Sequence, residues 1–369
     1  MKQSSASDWA AQLAGQTRKA NELSRHLDVS DEQRAEISEA TAKFPMAITP
    51  YFLEKALDSP ALLKQVLPTK DELEIGAADL ADPLGEEHDE VAPGLVHRYP
   101  DRVLLLVNDV CASYCRFCTR KRMVGGRKLP FTKKRMQECF AYIRAHEDVR
   151  DVIISGGDPL MLPDASLEYV VAGLRAIPHV EIVRIGTRIP AFLPHRVTDE
   201  LCAMLRKYQP IYFSLHFDHP DEVTGRTVDA LAKLADSGFP LGSQTVLLRG
   251  VNDDVDTMRE LMKRLTRCRV RPYYMYQCDL AIGIEHFRTT VEKGLEIVAG
   301  MRGFISGYAC PTYVVDLPKG GGKVPVIPEY LKYQDGNRLV FRNFEGREYS
   351  YTEPTIDEPA VKRFPAVNE

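Results

Sequence analysis

From about residue 102 the chain alternates between short apolar, β-branched runs and longer amphipathic stretches. The runs are Arg102–Asn108, Asp151–Ser155, Ile182–Gly186, Ile211–His216, Gly242–Leu248 and Pro272–Gln277. Between them, Lys134–His146, Leu167–Ala176, Asp199–Tyr208, Val228–Ser237 and Asp256–Cys268 carry apolar residues at helical spacing. Parallel strands need helical crossovers, so this alternation predicts a parallel α/β architecture. A partial (β/α)6 barrel is favoured over an open doubly wound sheet. The open sheet wants a glycine fingerprint after its first strand, and a cysteine-rich loop stands there instead. Residues 1–100 read as a helical extension, interrupted at Asp58–Pro60 and at the Asp82-Pro83-Leu84-Gly85 turn. The barrel is expected over 101–330. The remainder, 331–369, reads as a short C-terminal extension, polar and strand-poor beyond Gly336.

Composition narrows the class. Of 369 residues, 44% are hydrophobic and 27% charged, which excludes a mainly disordered or collagen-like chain. Apolar runs such as Val103–Val107 fall far short of the roughly 18 residues needed to span a bilayer. The start, Met1 to Thr17, is polar and lacks the apolar core of a secretory signal. No membrane association is expected, and a cytoplasmic location is. Eight cysteines in such a chain are reduced thiols, metal ligands or core residues before they are a disulfide scaffold.

Charge is segregated. Nine acidic side chains and no Lys or Arg lie between Asp71 and Glu90. Nine basic ones and no Asp or Glu lie between Arg116 and Arg135. The basic run reads as a solvated face, a nucleic-acid track or a cationic mouth for anionic cofactors. The net charge of -4 and the lack of an appended RNA-binding motif speak against nucleic acid.

Three segments carry chemistry. Cys111, Cys115 and Cys118 are spaced so that one loop can hold three irons of a cubane cluster and leave the fourth open. Structural zinc is the alternative, but it wants a fourth ligand. Gly156-Gly157-Asp158 follows the next apolar run, at the strand end where barrel active sites lie. Glycines there admit a ligand close to the backbone, and Asp158 can accept from an ammonium; an ordinary turn reads the same way. Finally, Lys319-Gly320-Gly321-Gly322-Lys323 is no phosphate loop, because Val324 follows the lysine. It reads as a flexible lid, or as a pliant lysine able to form and release a Schiff base.

The C-x3-C-x2-C loop after a first strand, with Phe117 before its last cysteine, resembles the radical S-adenosylmethionine superfamily. Cys-Arg-Phe-Cys-Thr-Arg-Lys-Arg (115–122), Tyr-Gln-Cys-Asp-Leu (276–280), Glu-His-Phe-Arg-Thr (285–289), Ser-Gly-Tyr (306–308) and Pro-Thr-Tyr-Val-Val-Asp (311–316) narrow this. With the Lys323 loop they resemble the lysine 2,3-aminomutase family over roughly residues 40–330. The resemblance implies a [4Fe–4S] cluster on the three cysteines. It implies S-adenosylmethionine against Gly156, Gly157, Asp158, His216 and Gln244. Pyridoxal 5′-phosphate is implied at Lys323 with Arg98, Arg102 and Tyr276. Arg120 is expected to meet the substrate carboxylate, and Asp279 with Asp316 the distal ammonium of L-lysine. The implied reaction interconverts L-lysine and L-β-lysine by a 5′-deoxyadenosyl radical and an amino shift on a pyridoxal phosphate aldimine. An external one-electron reductant such as flavodoxin or ferredoxin is implied too. Arginine stays open as substrate, and a nucleic-acid-modifying radical enzyme or a redox iron–sulfur protein are the rival classes. The 278–287 run follows the type acting on free lysine rather than on a lysine of elongation factor P.

Two departures from the family pattern stand out. Lys319 replaces a loop glycine, putting a second lysine four residues before Lys323. Asp254 stands where a zinc-ligating cysteine is usual, and no cysteine follows Cys310. Structural zinc is therefore expected to be absent, and a dimer is favoured over a larger homo-oligomer.

Overall fold

A computed structural model describes residues 6–126 and 129–354. The chain opens with helices α1 (Ala6–Ala14), α2 (Ala20–Leu23), α3 (Asp31–Lys43), α4 (Pro50–Leu57) and α5 (Pro60–Val66). Ser30 starts α3 by accepting from Gln33 N at 3.1 Å, and Gln33 reaches back to Ser30 N. A proline opens α4 and another α5, at the position where a missing N–H costs no helical bond.

Ten strands then make one sheet in sequence order. An antiparallel pair, β1 (Glu90–Ala92) and β2 (Leu95–Tyr99), leads into β3 (Arg102–Asn108). Parallel to β3 follow β4 (Asp151–Gly156), β5 (Ile182–Thr187), β6 (Ile211–His216), β7 (Leu241–Leu247), β8 (Arg271–Gln277) and β9 (Thr312–Leu317). A short antiparallel strand, β10 (Gly322–Pro325), closes the series against β9. The crossovers are α6 (Lys133–Ala145), α7 (Asp164–Arg175), α8 (Ile189–Phe192) with α9 (Asp199–Arg206), α10 (Gly225–Asp236), α11 (Val255–Arg267) and α12 (Val291–Met301). Thr132, Thr198, Thr224 and Thr290 cap α6, α9, α10 and α12. Asp254 is the cap of α11, its carboxylate accepting from Thr257 N at 2.8 Å. The sheet is an open, partial barrel, as the alternation predicts.

Six strands fall within two residues of the expected runs. The seventh, β9, lies in the segment read only as the Pro-Thr-Tyr-Val-Val-Asp motif. Its crossover through α12 extends the β/α series by one unit.

Along β4, β5 and β7 every second residue is buried and the others half-buried. Val152, Ile154, Val183 and Ile185 pack under the helices in one continuous core with Met136, Phe140, Leu167 and Leu174. The opposite row, including Ser155, Arg184 and Gln244, is left less covered. This difference between faces makes a lumen wall out of strands that would otherwise be buried on both sides.

Residues up to Val326 form one unit, and those from Ile327 a second. Within the second, β11 (Leu331–Asp335), β12 (Arg338–Arg342) and β13 (Glu348–Thr352) pair antiparallel. The strand-poor reading of this tail is therefore corrected. Arg-Leu-Val-Phe-Arg is a short apolar run between two charges and Glu-Tyr-Ser-Tyr-Thr alternates at the strand period, but the polar residues around them lower their hydrophobic signal. Residues 355–369 of the expected extension lie outside the described residues. Among the described residues, no helix is long and apolar enough to cross a membrane.

Candidate active site

The C-terminal ends of the parallel strands carry the chemical groups. After β3 the chain enters the cysteine loop, and the end of β4 is zipped against that entry. Gly157 N donates to Asn108 O at 2.7 Å, Asp158 N to Val110 O at 2.8 Å, and Asn108 Nδ2 to Asp158 O at 2.9 Å. Gly156 has φ +130°, and a Cβ at Gly156 or Gly157 would run into the backbone of Asn108 or Val110. The glycines thus seat the cysteine loop on the neighbouring strand. Asp158 is buried, and its carboxylate accepts from Thr187 Oγ1 (2.8 and 2.9 Å), Arg188 N (2.8 Å) and Leu160 N (3.0 Å). Burial pushes its pKa to about 6 against those bonds. In this arrangement Asp158 ties β4 to β5, and its oxygens already have protein donors.

Cys111, Cys115 and Cys118 are free thiols, half-buried, on one stretch of loop. Arg188 Nη1 donates to Cys115 Sγ at 2.9 Å and Arg120 N to Cys118 Sγ at 3.4 Å. Burial nevertheless pushes the Cys115 thiol up to about 12 and raises Cys111 and Cys118. Three crowded thiols with raised pKa values become thiolates when a multivalent cation neutralises them. Among the described residues no three His, Cys, Asp or Glu side chains are gathered around one metal-ion position. Thiolates of a cubane bind three different irons and so stand further apart than ligands of one ion. The donor set fits such a cluster.

Beside Cys115 lies a buried charge network that the sequence did not disclose. Arg188 contacts Glu222 and Asp218, each at 3.0 Å, and Gln65. It also stacks over Phe192 and Phe117, at 4.4 and 5.2 Å. Arg188 Nε and Glu222 Oε2 are buried without a hydrogen-bond partner, so each has a bond to give a polar group held beside the loop. His216, on β6, pairs with Asp218 at 2.8 Å and meets Phe117 edge-on at 6.0 Å. Gln244 is its register neighbour on β7 and accepts from Tyr273 Oη at 3.3 Å. The expected S-adenosylmethionine residues His216 and Gln244 thus sit side by side, with His216 next to the cysteine loop.

The other half of the mouth is acidic. Lys323 on β10 lies opposite Asp316 on β9, and its Nζ reaches Asp316 Oδ2 at 2.6 Å. The same Nζ is 5.6 Å from the Tyr276 ring. Asp279, two residues past β8, has its pKa raised to about 7 by burial and by Asp316, while Lys323 pulls it back. The Tyr276 phenol is raised by burial, with Asp316 and Asp279 adding to the shift. Asp279, Asp316, Lys323 and Tyr276 are therefore brought together.

Arg98 and Arg102 flank the lysine loop. Arg98 pairs with Asp89, donates to Leu84 O at 2.7 Å, and lies where a Cβ of Gly320 would be. Arg102 stacks over Tyr99 at 4.2 Å, and Tyr99 Oη accepts from Lys323 N at 3.2 Å. A glycine loop pressed on one arginine, with a second close by, fits a phosphate-bearing cofactor held near Lys323. Lys319 sits at φ +54°, the left-handed region where glycine is unstrained and lysine is not.

Arg120 is not free. Its Nε lies 3.0 Å from both oxygens of Glu86 and its Nη2 2.6 Å from one; Nη1 has Ser155 Oγ and Gly156 O at 3.4 Å. Glu86 was not singled out in the sequence. Its signal was the acidic run facing a basic run: Glu72 pairs with Arg116 and Lys121, and Asp82, Glu86 and Glu87 with Arg122. The expected cationic mouth is in large part neutralised by the chain's own acids.

Comparison with known proteins agrees with this geometry. Residues 105–262 match the family model of the radical SAM superfamily, and residues 298–364 that of lysine-2,3-aminomutase. An L-lysine 2,3-aminomutase of Fusobacterium nucleatum is 50% identical over 350 residues, 94% of this chain and 82% of the relative. One of Clostridium subterminale is 50% identical over 352 residues, covering 94% and 84%. A glutamate 2,3-aminomutase of Clostridioides difficile is 42% identical over 355 residues, covering 95% and 82%. With half of all positions shared along nearly its whole length, the chain belongs to the lysine 2,3-aminomutase family of radical SAM enzymes.

Proposed function

We propose that the protein is an L-lysine 2,3-aminomutase, interconverting L-lysine and L-β-lysine. The observation that carries this reading is the meeting of Asp279 and Asp316 with the single cation of Lys323. Two carboxylates against one lysine leave a negative charge for a substrate ammonium. A glutamate side chain there would face like charge, and a neutral one would leave the acids unpaired.

When bound, a [4Fe–4S] cluster with S-adenosylmethionine would supply a carbon-centred radical, and pyridoxal phosphate a carbonyl that takes up amines. In this reading Cys111, Cys115 and Cys118 hold the irons. Gly156, Gly157, Asp158, His216 and Gln244 border the S-adenosylmethionine site. Arg98, Arg102 and Tyr276 surround the phosphate-bearing ring, and Arg120 takes the substrate α-carboxylate. Lys323 Nζ must lose a proton before it can attack a carbonyl, and Asp316 Oδ2 is the acceptor in reach. A neutral Lys323 would leave Asp316 and Asp279 to hold the substrate's ε-ammonium. The apolar wall of Phe117, Ala281, Ile284 and Phe287 keeps stray hydrogen donors from the cysteine side of the mouth.

A homodimer, a flavodoxin or ferredoxin as electron donor and a cytoplasmic setting complete the reading. Eight free cysteines suit a reducing compartment. The test is anaerobic incubation of the cluster-reconstituted protein with both small cofactors, a reductant, and lysine, arginine or glutamate in turn. β-Lysine is expected as the main product. Faster turnover of glutamate or arginine would contradict the reading.

A further inference from the structure

A guanidinium has two edges that can each grip a carboxylate: the Nε–Nη2 edge and the Nη1–Nη2 edge. Glu86 holds the first edge of Arg120 with both oxygens, at 2.6 to 3.0 Å. The second edge carries only two 3.4 Å contacts, from Nη1 to Ser155 Oγ and Gly156 O. These are weak by hydrogen-bond standards, and each Nη still has a hydrogen to give on that side.

Glu86 is itself buried and fixed. It is 6% exposed and belongs to a strap fastened on either side. Asp82 and Glu87 grip Arg122 at 3.1 and 2.9 Å, and Leu84 O accepts from Arg98 at 2.7 Å. Although burial opposes it, Arg120 and Arg122 hold the Glu86 carboxyl below its usual range, so it stays ionised. A long arginine side chain loses rotamer freedom when it is immobilised. A permanent internal partner supplies that ordering before substrate arrives.

We propose that Glu86 is a positioning residue for substrate recognition, holding Arg120 by one edge so that the other is set for the α-carboxylate of the amino acid. The inference rests on the reading that Arg120 meets that carboxylate. It makes the acidic strap part of the substrate site, and the amino-acid specificity of the enzyme depends on a residue expected to lie one ion pair away from the substrate.

The test compares L-lysine with cadaverine, which keeps both amines and lacks the carboxylate. Each is titrated into the pyridoxal phosphate-loaded holoenzyme without reductant, following the absorbance change of the bound cofactor. Wild type is expected to bind lysine more tightly than cadaverine. Glu86→Ala should weaken lysine about tenfold or more and leave cadaverine within about twofold, since misaiming a gripping group costs on this scale. Glu86→Gln, which keeps an acceptor for Arg120, should lose less, and it carries the comparison if the alanine variant does not fold. Glu181→Gln, on an exposed acid just before β5 at the opposite ends of the strands, should change neither ligand. Equal weakening of lysine and cadaverine would reduce Glu86 to a structural contact and overturn the inference. Tighter lysine binding would overturn it too, because Glu86 would then be competing for Arg120. If wild type itself does not favour lysine, the Arg120 reading fails first, and the role of Glu86 with it.

Discussion

Asp279 concentrates the electrostatics of the site in one carboxyl group. Burial and the neighbouring Asp316 raise it to about 7, with only partial relief from Lys323. Its ionised form is what an ε-ammonium needs, and a bound ammonium in turn favours ionisation. Lysine binding should therefore displace a proton below pH 7. KM for lysine is expected to fall as pH rises from 6 to 8, by up to about tenfold per unit on the acidic side. Asp279→Asn should raise KM at pH 8 and flatten that dependence; a profile unchanged in the variant would show that another group titrates. The same shift has a stability cost. Because the folded pKa lies above the unfolded value of about 4, Asp279 destabilises the ligand-free protein progressively as pH rises from about 4 to 7. Asp279, Asp316 and Lys323 were legible in the sequence because their neighbours form motifs. Glu86, Arg188, Asp218 and Glu222 were not. Glu86 and Arg120 lie 34 residues apart, and Arg188 and Glu222 likewise. Nothing local marks a pair made by folding.

At the scale of elements, the cysteine loop is held from outside the barrel. Arg116, between the first two expected iron ligands and Phe117, is 1% exposed and donates to Glu72 at 2.8 and 2.6 Å. It also donates to Pro45 O at 2.9 Å and Phe44 O at 3.1 Å, and its own N donates to Gln65 O at 2.8 Å. The stretch from α3 through α5 to Glu72 is thus an outer brace for the loop. Arg116→Met leaves Glu72, 0% exposed, with Lys121 and the Thr69 N–H, and breaking a buried pair of this kind costs about 3–5 kcal/mol. Urea unfolding should show that loss, with a lower iron content after reconstitution. A variant within about 1 kcal/mol of wild type would mean that the brace carries little load. The strands of the barrel were legible because each is a compact run rich in β-branched, aliphatic or aromatic residues. β9 was hidden inside a motif read for its chemistry, β12 is three apolar residues between two arginines, and β13 alternates tyrosines with polar residues at exposed positions. The helical reading of the first hundred residues likewise passed over β1 and β2, which carry Arg98 to the mouth.

Over the whole molecule, a net charge of -4 conceals two opposed runs of nine charges each. Folding sets much of one run against the other: Glu72 with Arg116 and Lys121, Asp82 and Glu87 with Arg122, and Glu86 with Arg120. What remains unbalanced in the mouth is acidic, around Asp279 and Asp316, and in the proposed function that asymmetry is what selects a diamino acid. The central claim is an intramolecular shift of lysine's α-amino group to the β-carbon. Its most direct test is nuclear magnetic resonance of the product formed anaerobically from L-lysine labelled with 15N at the α-amino group and 13C at the β-carbon. The account predicts β-lysine in which the 15N is bonded to the labelled carbon and shows one-bond coupling to it. Unchanged lysine from fully reconstituted enzyme, or 15N released as ammonia, would contradict it.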